Sequence, residues 1–183
     1  VTITGTANGG ETLTVVPAAG TAIYDAAGNA ASTTQSNNTA SLTEKVLPTI
    51  SSVSLNAANS ELTVTFSENV YNTNGGSGDL EVADFALSIS GGAAGVNATP
   101  GSITKTAQNI WVLGVTITGT ANGGETLTVV PAAGTAIYDA AGNAASTTQS
   151  NNTASLTEKV LPTITNLAIY DTDFNGLIDK IIV

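Results

Sequence analysis

The chain has 183 residues and carries 14 acidic side chains against four basic ones, all of them lysine, so its formal net charge is −10. Such a surface repels nucleic-acid phosphates and anionic lipid headgroups, so neither nucleic acid nor a bare membrane is expected as a partner. The chain has no histidine, cysteine or arginine. Because catalytic triads, thiol nucleophiles and arginine clamps need those residues, we expect that the protein is not an enzyme.

Hydrophobic residues make up 42% of the chain and charged residues only 10%. This balance differs from the highly charged, weakly hydrophobic composition of disordered chains, and it suits short strands with polar outer faces and many turns. No disulfide can form, so stability must come from burial or from bound ions. No run of about 18 apolar residues occurs, and we expect no membrane insertion in this segment.

The N-terminal part of the chain is a copy of a later part. Residues 1–50 recur without a change as residues 115–164, which sets a period of 114 residues. A period of this length fits a whole β-sandwich and is too long for one turn of a solenoid. The sequence therefore predicts the C-terminal part of a preceding repeat at 1–47, one complete repeat at 48–161 and the N-terminal part of the next repeat at 162–183.

Within the complete repeat, apolar and polar residues alternate with a period of two, which is typical of strands with one buried face. The segments between them are rich in Gly and Asn, which tolerate turn conformations. About seven short strands in some 110 residues predict an all-β protein, an immunoglobulin-like antiparallel β-sandwich in tandem repeats. The predicted strands are 49–55, 61–66, 80–90, 95–106, 110–118, 125–131 and 153–160.

The same alternation predicts the residues of the core. Three apolar side chains on each of three strands share the parity that faces inward. Burial of each large side chain contributes roughly 1.5–3 kcal/mol, so this set offsets much of the entropy lost on folding. The predicted inward residues are Leu62, Val64, Phe66, Phe85, Leu87, Ile89, Trp111, Leu113 and Val115.

Four segments of the repeat resemble a known family. FSENVY at 66–71, GSGDLEVADFALSISGG at 76–92, NGGETLTVVPA at 122–132 and AIYDAAGNAAS at 136–146 are similar to the long repeats of giant bacterial cell-surface proteins. These include proteins associated with cyanobacterial swimming motility and large adhesins. The resemblance implies an immunoglobulin-like fold, a secreted protein and an extracellular location at the cell surface.

The third, partial repeat contains a calcium-type loop in the sequence IYDTDFNGLIDKIIV. Calcium binds oxygen ligands on alternate residues of a chain that curls around the ion, and the corresponding positions in an EF-hand loop are 1, 3, 5, 7 and 9. The pattern predicts a Ca²⁺ site. The predicted ligands are Asp171, Asp173, Asn175, the carbonyl group of Leu177, and Asp179.

The loop departs from the EF-hand pattern at position 12, where Ile182 stands in place of the bidentate glutamate. One ligand is therefore left to water or a neighbouring repeat, which predicts an extracellular-range affinity, on the order of 10⁻⁴–10⁻³ M. The alternative is an acidic hairpin turn in which Asp and Asn side chains hold the backbone without a metal. The corresponding turn of the complete repeat, 56–61, lacks these carboxylates, so no calcium is expected there.

Other carboxylates have two possible roles. Asp139, in YDAAGN, is either a ligand between repeats or the first residue of an ordinary turn, and turn chemistry is the more frequent case. Glu68, Asp84 and Glu158 are interpreted as solvated or backbone-capping groups.

These observations favour a structural role. We expect a repeat of an extracellular stalk, filament or sheath, acting as a spacer or within an adhesin, whose partners are neighbouring repeats and like chains. The junction TEKVLPT at 157–163 is short and contains Pro162, which restricts bending more than a Gly/Ser linker. The alternative is an adhesin module that recognises a glycan or protein through loops at one end of the sandwich.

Overall fold

A computed structural model describes residues 1–182, and its regular structure is almost entirely strand. One 3₁₀ turn, Val82–Asp84, precedes the fifth strand. In chain order the strands are β1 (Thr12–Thr14), β2 (Thr39–Ser41), β3 (Ile50–Leu55), β4 (Glu61–Phe66), β5 (Phe85–Ser90), β6 (Gly95–Val96), β7 (Ser102–Ala107), β8 (Ile110–Gly114), β9 (Ile117–Thr118), β10 (Thr126–Pro131), β11 (Thr153–Ser155), β12 (Ala168–Tyr170) and β13 (Lys180–Ile182).

Two antiparallel sheets form the sandwich of the complete repeat. One has the strand order β3-β4-β8-β7 and the other has the order β11-β10-β5, while the short strands β6 and β9 pair separately. Each sheet turns the apolar parity of its strands toward the other, which is how two sheets share one core. The predicted fold class, an all-β antiparallel sandwich, is confirmed.

The core contains the residues that the alternation predicts. Eight of the nine predicted side chains are buried, and Ile89 is partly buried against them. Trp111 is 1% exposed, and its indole N–H donates to the Gln108 carbonyl at 3.2 Å. Among the described residues, the buried hydrophobic ones all lie between Ile50 and Leu156. The boundaries 48 and 161 stay a prediction, but the core lies inside them.

Four predicted strands, 80–90, 95–106, 110–118 and 153–160, are markedly shorter than predicted or interrupted, and the first two have a clear local reason. The segment before Phe85 forms the 3₁₀ turn because the Asp84 carboxylate accepts the Glu81 backbone N–H at 2.7 Å and closes the chain on itself. The predicted strand 95–106 is split, since Pro100 has no N–H to give to a sheet ladder. The alternation of apolar and polar residues predicts which face of a strand a residue occupies, but it does not predict where a strand is interrupted.

The chain enters and leaves the sandwich at opposite ends of β3. At the end that we call the leading end, the Ile50 N–H donates to the Gln149 side-chain oxygen at 2.8 Å. At the other end, the trailing end, Asn59 in the β3–β4 turn exchanges two hydrogen bonds with the Thr157 backbone, at 2.7 and 2.8 Å. Six residues of β3 separate these ends, a distance of about 20 Å.

The duplicated sequence occurs in two environments. β1 pairs with β2 in the same register as β10 with β11, so the local structure is the same. However, Ile23 is 55% exposed whereas its counterpart Ile137 is 0% exposed, and Val15 is 62% exposed whereas Val129 is 0%. The reason is that β5 pairs with β10 and the four-stranded sheet packs over it, and nothing among residues 1–182 does this for β1.

This difference generates a prediction with a built-in control. Ile137→Ala should lower the free energy of unfolding of the complete repeat by about 2–5 kcal/mol, because it leaves a cavity in the core. Ile23→Ala, the same change in the same sequence, should have an effect close to zero. Denaturant unfolding followed by the fluorescence of the single tryptophan, Trp111, measures both. Equal losses in the two variants would contradict the assignment of the core.

Candidate functional sites

The predicted calcium loop lies in a hairpin. β12 and β13 pair antiparallel, and Ile169 lies opposite Ile181. Residues 170–180 lie between these two paired residues. In the corresponding hairpin of the complete repeat, Leu55 lies opposite Leu62 and only residues 56–61 connect them. The connection in the third repeat is therefore five residues longer, and it carries the acidic cluster.

The hairpin brings three of the predicted ligands together. One carboxylate oxygen from each of Asp171, Asp173 and Asp179 lies within 4.8 Å of the others. Calcium binds oxygens at 2.3–2.6 Å, so two ligands on opposite sides of one ion are about 4.6–5.2 Å apart. The three carboxylates are thus close enough to share one ion, and hard oxygen donors of this kind favour Ca²⁺ or Mg²⁺ over softer metals.

The remaining predicted ligands support the turn. The Asn175 side chain donates to Asp173 at 2.8 Å, and its oxygen accepts the Leu177 N–H at 2.8 Å. Gly176 has a φ of +83°, and its N–H donates to Asp171 at 2.9 Å. These bonds are the Asx-type contacts of the metal-free alternative, so both interpretations of the sequence find support in the geometry.

Asp179 closes the loop from its far side. Its carboxylate accepts both the side-chain hydroxyl and the backbone N–H of Thr172, at 2.6 and 2.7 Å. These two hydrogen bonds outweigh desolvation and lower the pKa of Asp179 below its ordinary value. The carboxylate therefore stays ionised through the neutral range, which is the form a cation requires.

Asp139 has the turn role. Its carboxylate accepts the backbone N–H and the side-chain amide of Asn143, at 2.7 and 2.8 Å. Asp25 and Asn29 make the same two bonds in the first copy of the sequence. The turn is thus a local property of YDAAGN. Asp84 caps a backbone N–H, as interpreted from the sequence, and burial raises its pKa.

Glu125 is a structurally central residue that the sequence interpretation did not single out. It is 1% exposed, and its carboxylate accepts four backbone N–H groups at 2.8–3.1 Å. Two of the donors, Asn122 and Gly123, belong to its own loop. The other two, Ala93 and Ala94, belong to a loop some thirty residues earlier. The carboxylate thus joins the first part of the repeat to the last part.

Close approach of the two loops depends on a glycine. Gly92 has a φ of +58°, and a Cβ atom at this position would lie 2.2 Å from the Glu125 carboxyl carbon. Only glycine fits both the backbone conformation and the space.

The hydrogen bonds also set the ionisation of Glu125. Burial by itself would raise the pKa, but the N–H groups of Ala93, Ala94 and Asn122 outweigh it and lower the pKa to about 2. The carboxylate is therefore ionised at all ordinary pH values. A signal for this residue existed in the sequence, since Glu125 has the inward parity of Leu127 and Val129 and is thus a charged residue on a core-facing position.

Comparisons with known proteins leave the chain without an assigned family. No protein-family model matches it, and no curated protein matches it. The crystal structure of the N-terminal part of the bacterial S-layer protein SbsC aligns with 68% of this chain and 26% of its own, at 22% sequence identity and a TM-score of 0.42. The chain thus spans about a quarter of that structure. A similarity of this extent carries no functional assignment. In residues 1–182, no helix is long and apolar enough to cross a bilayer.

Glu125 generates a second paired prediction. Glu125→Gln should destabilise the repeat at neutral pH, because the neutral amide has one acceptor oxygen for donors that two ionised oxygens now share. Glu11→Gln should change stability little, since the hydrogen bonds of the Glu11 carboxylate are all to its own loop, at Asn8 and Gly9. Thermal unfolding of both variants beside the parent chain measures the difference.

The lowered pKa of Glu125 determines how its contribution to stability changes with pH. The folded pKa of about 2 lies below the ordinary value of 4.5, so the stabilisation is complete above pH 4.5 and is lost as the pH falls from 4.5 toward 2. The difference in unfolding temperature between the parent chain and Glu125→Gln should therefore become smaller as the pH falls through this range. A difference that stays constant down to pH 2 would contradict this account, because it would show that the substitution disturbs packing and not a charge.

Proposed function

We propose that this chain is part of a spacer built from tandem β-sandwich repeats, in an extracellular stalk, filament or sheath at the cell surface. The observation that supports the proposal most is that the chain enters and leaves the sandwich at opposite ends, near Ile50 and near Thr157. Repeats joined in this way extend along one direction, whereas adjacent termini would let successive copies fold back. A short connection through a proline keeps that direction.

The acidic charge of the chain fits the same role. Because the chain has a net charge of −10, successive repeats repel one another, and this repulsion favours an extended array. Dissolved cations screen the repulsion. The sequence resemblance to repeats of giant bacterial surface proteins points the same way and supplies the proposed location.

No observation favours the alternative, an adhesin module that recognises a glycan or protein through loops at one end of the sandwich. The residue best suited to stack on a sugar, Trp111, is in the core with its N–H satisfied. A groove in the first copy is lined mainly by apolar residues, Val15, Val16, Pro17, Ile23 and Ala31, together with Gln35 and Asn38. In the complete repeat, the counterparts of these apolar residues are buried, except that of Val16, which is half-buried. The groove therefore matches an incomplete sandwich better than a ligand pocket.

The spacer role leads to a test of location. An antibody raised against residues 48–161 should label intact cells that produce the protein, and protease added outside the cells should remove the label. Antibody against a cytoplasmic marker, which should label only permeabilised cells, is the control. Labelling of the repeat only after permeabilisation would overturn the proposed location.

We further propose that the hairpin of the third repeat binds Ca²⁺ through Asp171, Asp173 and Asp179, with Asn175 and the Leu177 carbonyl completing the site. The corresponding turn of the complete repeat lies at the trailing end, beside Thr157. By this correspondence the ion would sit where the third repeat meets its successor. Bound there, calcium neutralises carboxylates and fixes the turn, which stiffens the junction.

Titration with CaCl₂ tests the metal. The backbone amide resonance of Gly176, which faces Asp171, should shift saturably with a dissociation constant on the order of 10⁻⁴–10⁻³ M. Asp171→Asn and Asp179→Asn should each abolish the saturable shift. The Ser60 amide, which donates to Asn56 in the hairpin without the acidic cluster, is the internal control. Equal shifts at Gly176 and Ser60 would mean that calcium acts only as ionic strength.

A further inference from the structure

A side-chain hydrogen bond joins the first copy of the sequence to the complete repeat. The amide nitrogen of Asn143 donates to the carboxylate of Glu44 at 2.6 Å and also approaches the Glu44 carbonyl oxygen at 3.4 Å. Glu44 lies in the junction segment TEKVLP at 43–48, and Asn143 is the last residue of the DAAGN turn at 139–143. The same amide donates to Asp139 at 2.8 Å, so Asn143 bridges two carboxylates from different repeats.

The duplicated sequence shows that the turn does not need this contact. Asp25 and Asn29 form the same turn at 2.8 and 2.9 Å, and both residues are exposed. In the complete repeat, Asn143 is buried, and its side chain has the additional acceptor. The turn is therefore preformed, and the glutamate of the preceding repeat binds to a donor already in place.

The glutamate is held in position by its own repeat as well. Glu44 accepts the N–H of Val46, and the next residue, Lys45, donates its N–H to the Ala7 carbonyl at 2.8 Å. At the end of the complete repeat, Glu158 accepts the N–H of Val160 and Lys159 donates to Ala121, also at 2.8 Å. Glu158 is thus held by the same two bonds, and it is exposed.

We propose that this glutamate is a docking group and that its partner is the following copy of the repeat. The TEKVLP glutamate at the trailing end of each repeat accepts the side-chain amide of the DAAGN asparagine at the leading end of the next one. Glu44 and Asn143 are one such clasp, and Glu158 is positioned to receive the next. The inference rests on the proposal that the repeats are strung in series, and it names the contact that sets their junction.

The charges around the clasp explain why the donor is an amide. Glu44, Asp139 and Glu68 all lie near it. Burial raises the pKa of Glu68, and the negative charges of Asp139 and Glu44 raise it further. A neutral side chain with two N–H donors can link carboxylates of two repeats, whereas an aspartate at position 143 would add a like charge. The clasp therefore discriminates asparagine from its acidic isostere.

Limited proteolysis with trypsin tests the clasp on the full chain. The bonds Lys45–Val46 and Lys159–Val160 lie in identical sequence surroundings, the copies 1–50 and 115–164. Among residues 1–182, only Glu44, before the first bond, accepts a side-chain amide of another repeat. We expect cleavage after Lys45 to be slower. Asn143→Ala and Asn143→Asp should each raise the ratio of the Lys45 rate to the Lys159 rate roughly ten- to a hundredfold, the size expected for one hydrogen bond to a charged group. Asn29→Ala, in the unclasped copy of the turn, should leave the ratio unchanged.

A second variant separates the clasp from folding of the turn. Glu44→Ala with Glu158→Ala keeps the two cleavage sites identical and leaves every residue of the turn in place. It too should raise the ratio. A ratio that neither this double variant nor Asn143→Ala moves would overturn the clasp. The spacer proposal would survive that result if separate scattering measurements still show repeats extending in a line.

Discussion

The structure depends on one constraint: the last part of the repeat, 115–161, cannot bury its apolar face by itself. The duplicated sequence makes this visible, because β10 and β11 are covered while β1 and β2, with the same residues and register, are not. The cover comes from β5, which pairs along the whole of β10, and from the four-stranded sheet opposite. That cover consists of residues 48–114, so the apolar face of this sequence is buried only in the copy that has both parts.

Polar contacts also hold the first and last parts of the repeat together. Glu125 reaches from the last part of the repeat to the loop at 93–94, and Asn59 reaches from the first part to Thr157. In the described part of the chain, no buried side-chain nitrogen or oxygen is left without a hydrogen-bond partner. Buried polar groups that are fully satisfied help to specify one arrangement of the two sheets.

Sequence patterns predicted most of the sandwich and less of its polar contacts. Alternation placed Leu62, Val64 and Phe66 on the inner face, because burial of one strand face is a local periodic property. The acidic spacing predicted that Asp171, Asp173 and Asp179 would cluster, since a single hairpin holds all three. The Ca²⁺ itself stays a prediction.

The contacts of Glu125 and Glu44 could not be predicted in the same way. The donors to Glu125 include N–H groups of residues 93 and 94, and the donor to Glu44 is 99 residues away. Such bonds depend on which loops the fold brings to each end of the sandwich. The proposed calcium loop and the proposed clasp are placed at these ends as well.

The central claim is that repeats of 114 residues extend in series because the chain enters and leaves each sandwich at opposite ends. Small-angle X-ray scattering from chains with one, two and four copies of residues 48–161 tests it most directly. The account predicts that the largest dimension rises by the same increment with each added copy. Growth close to that of a compact particle, whose radius of gyration rises as roughly the 0.38 power of chain length, would contradict it.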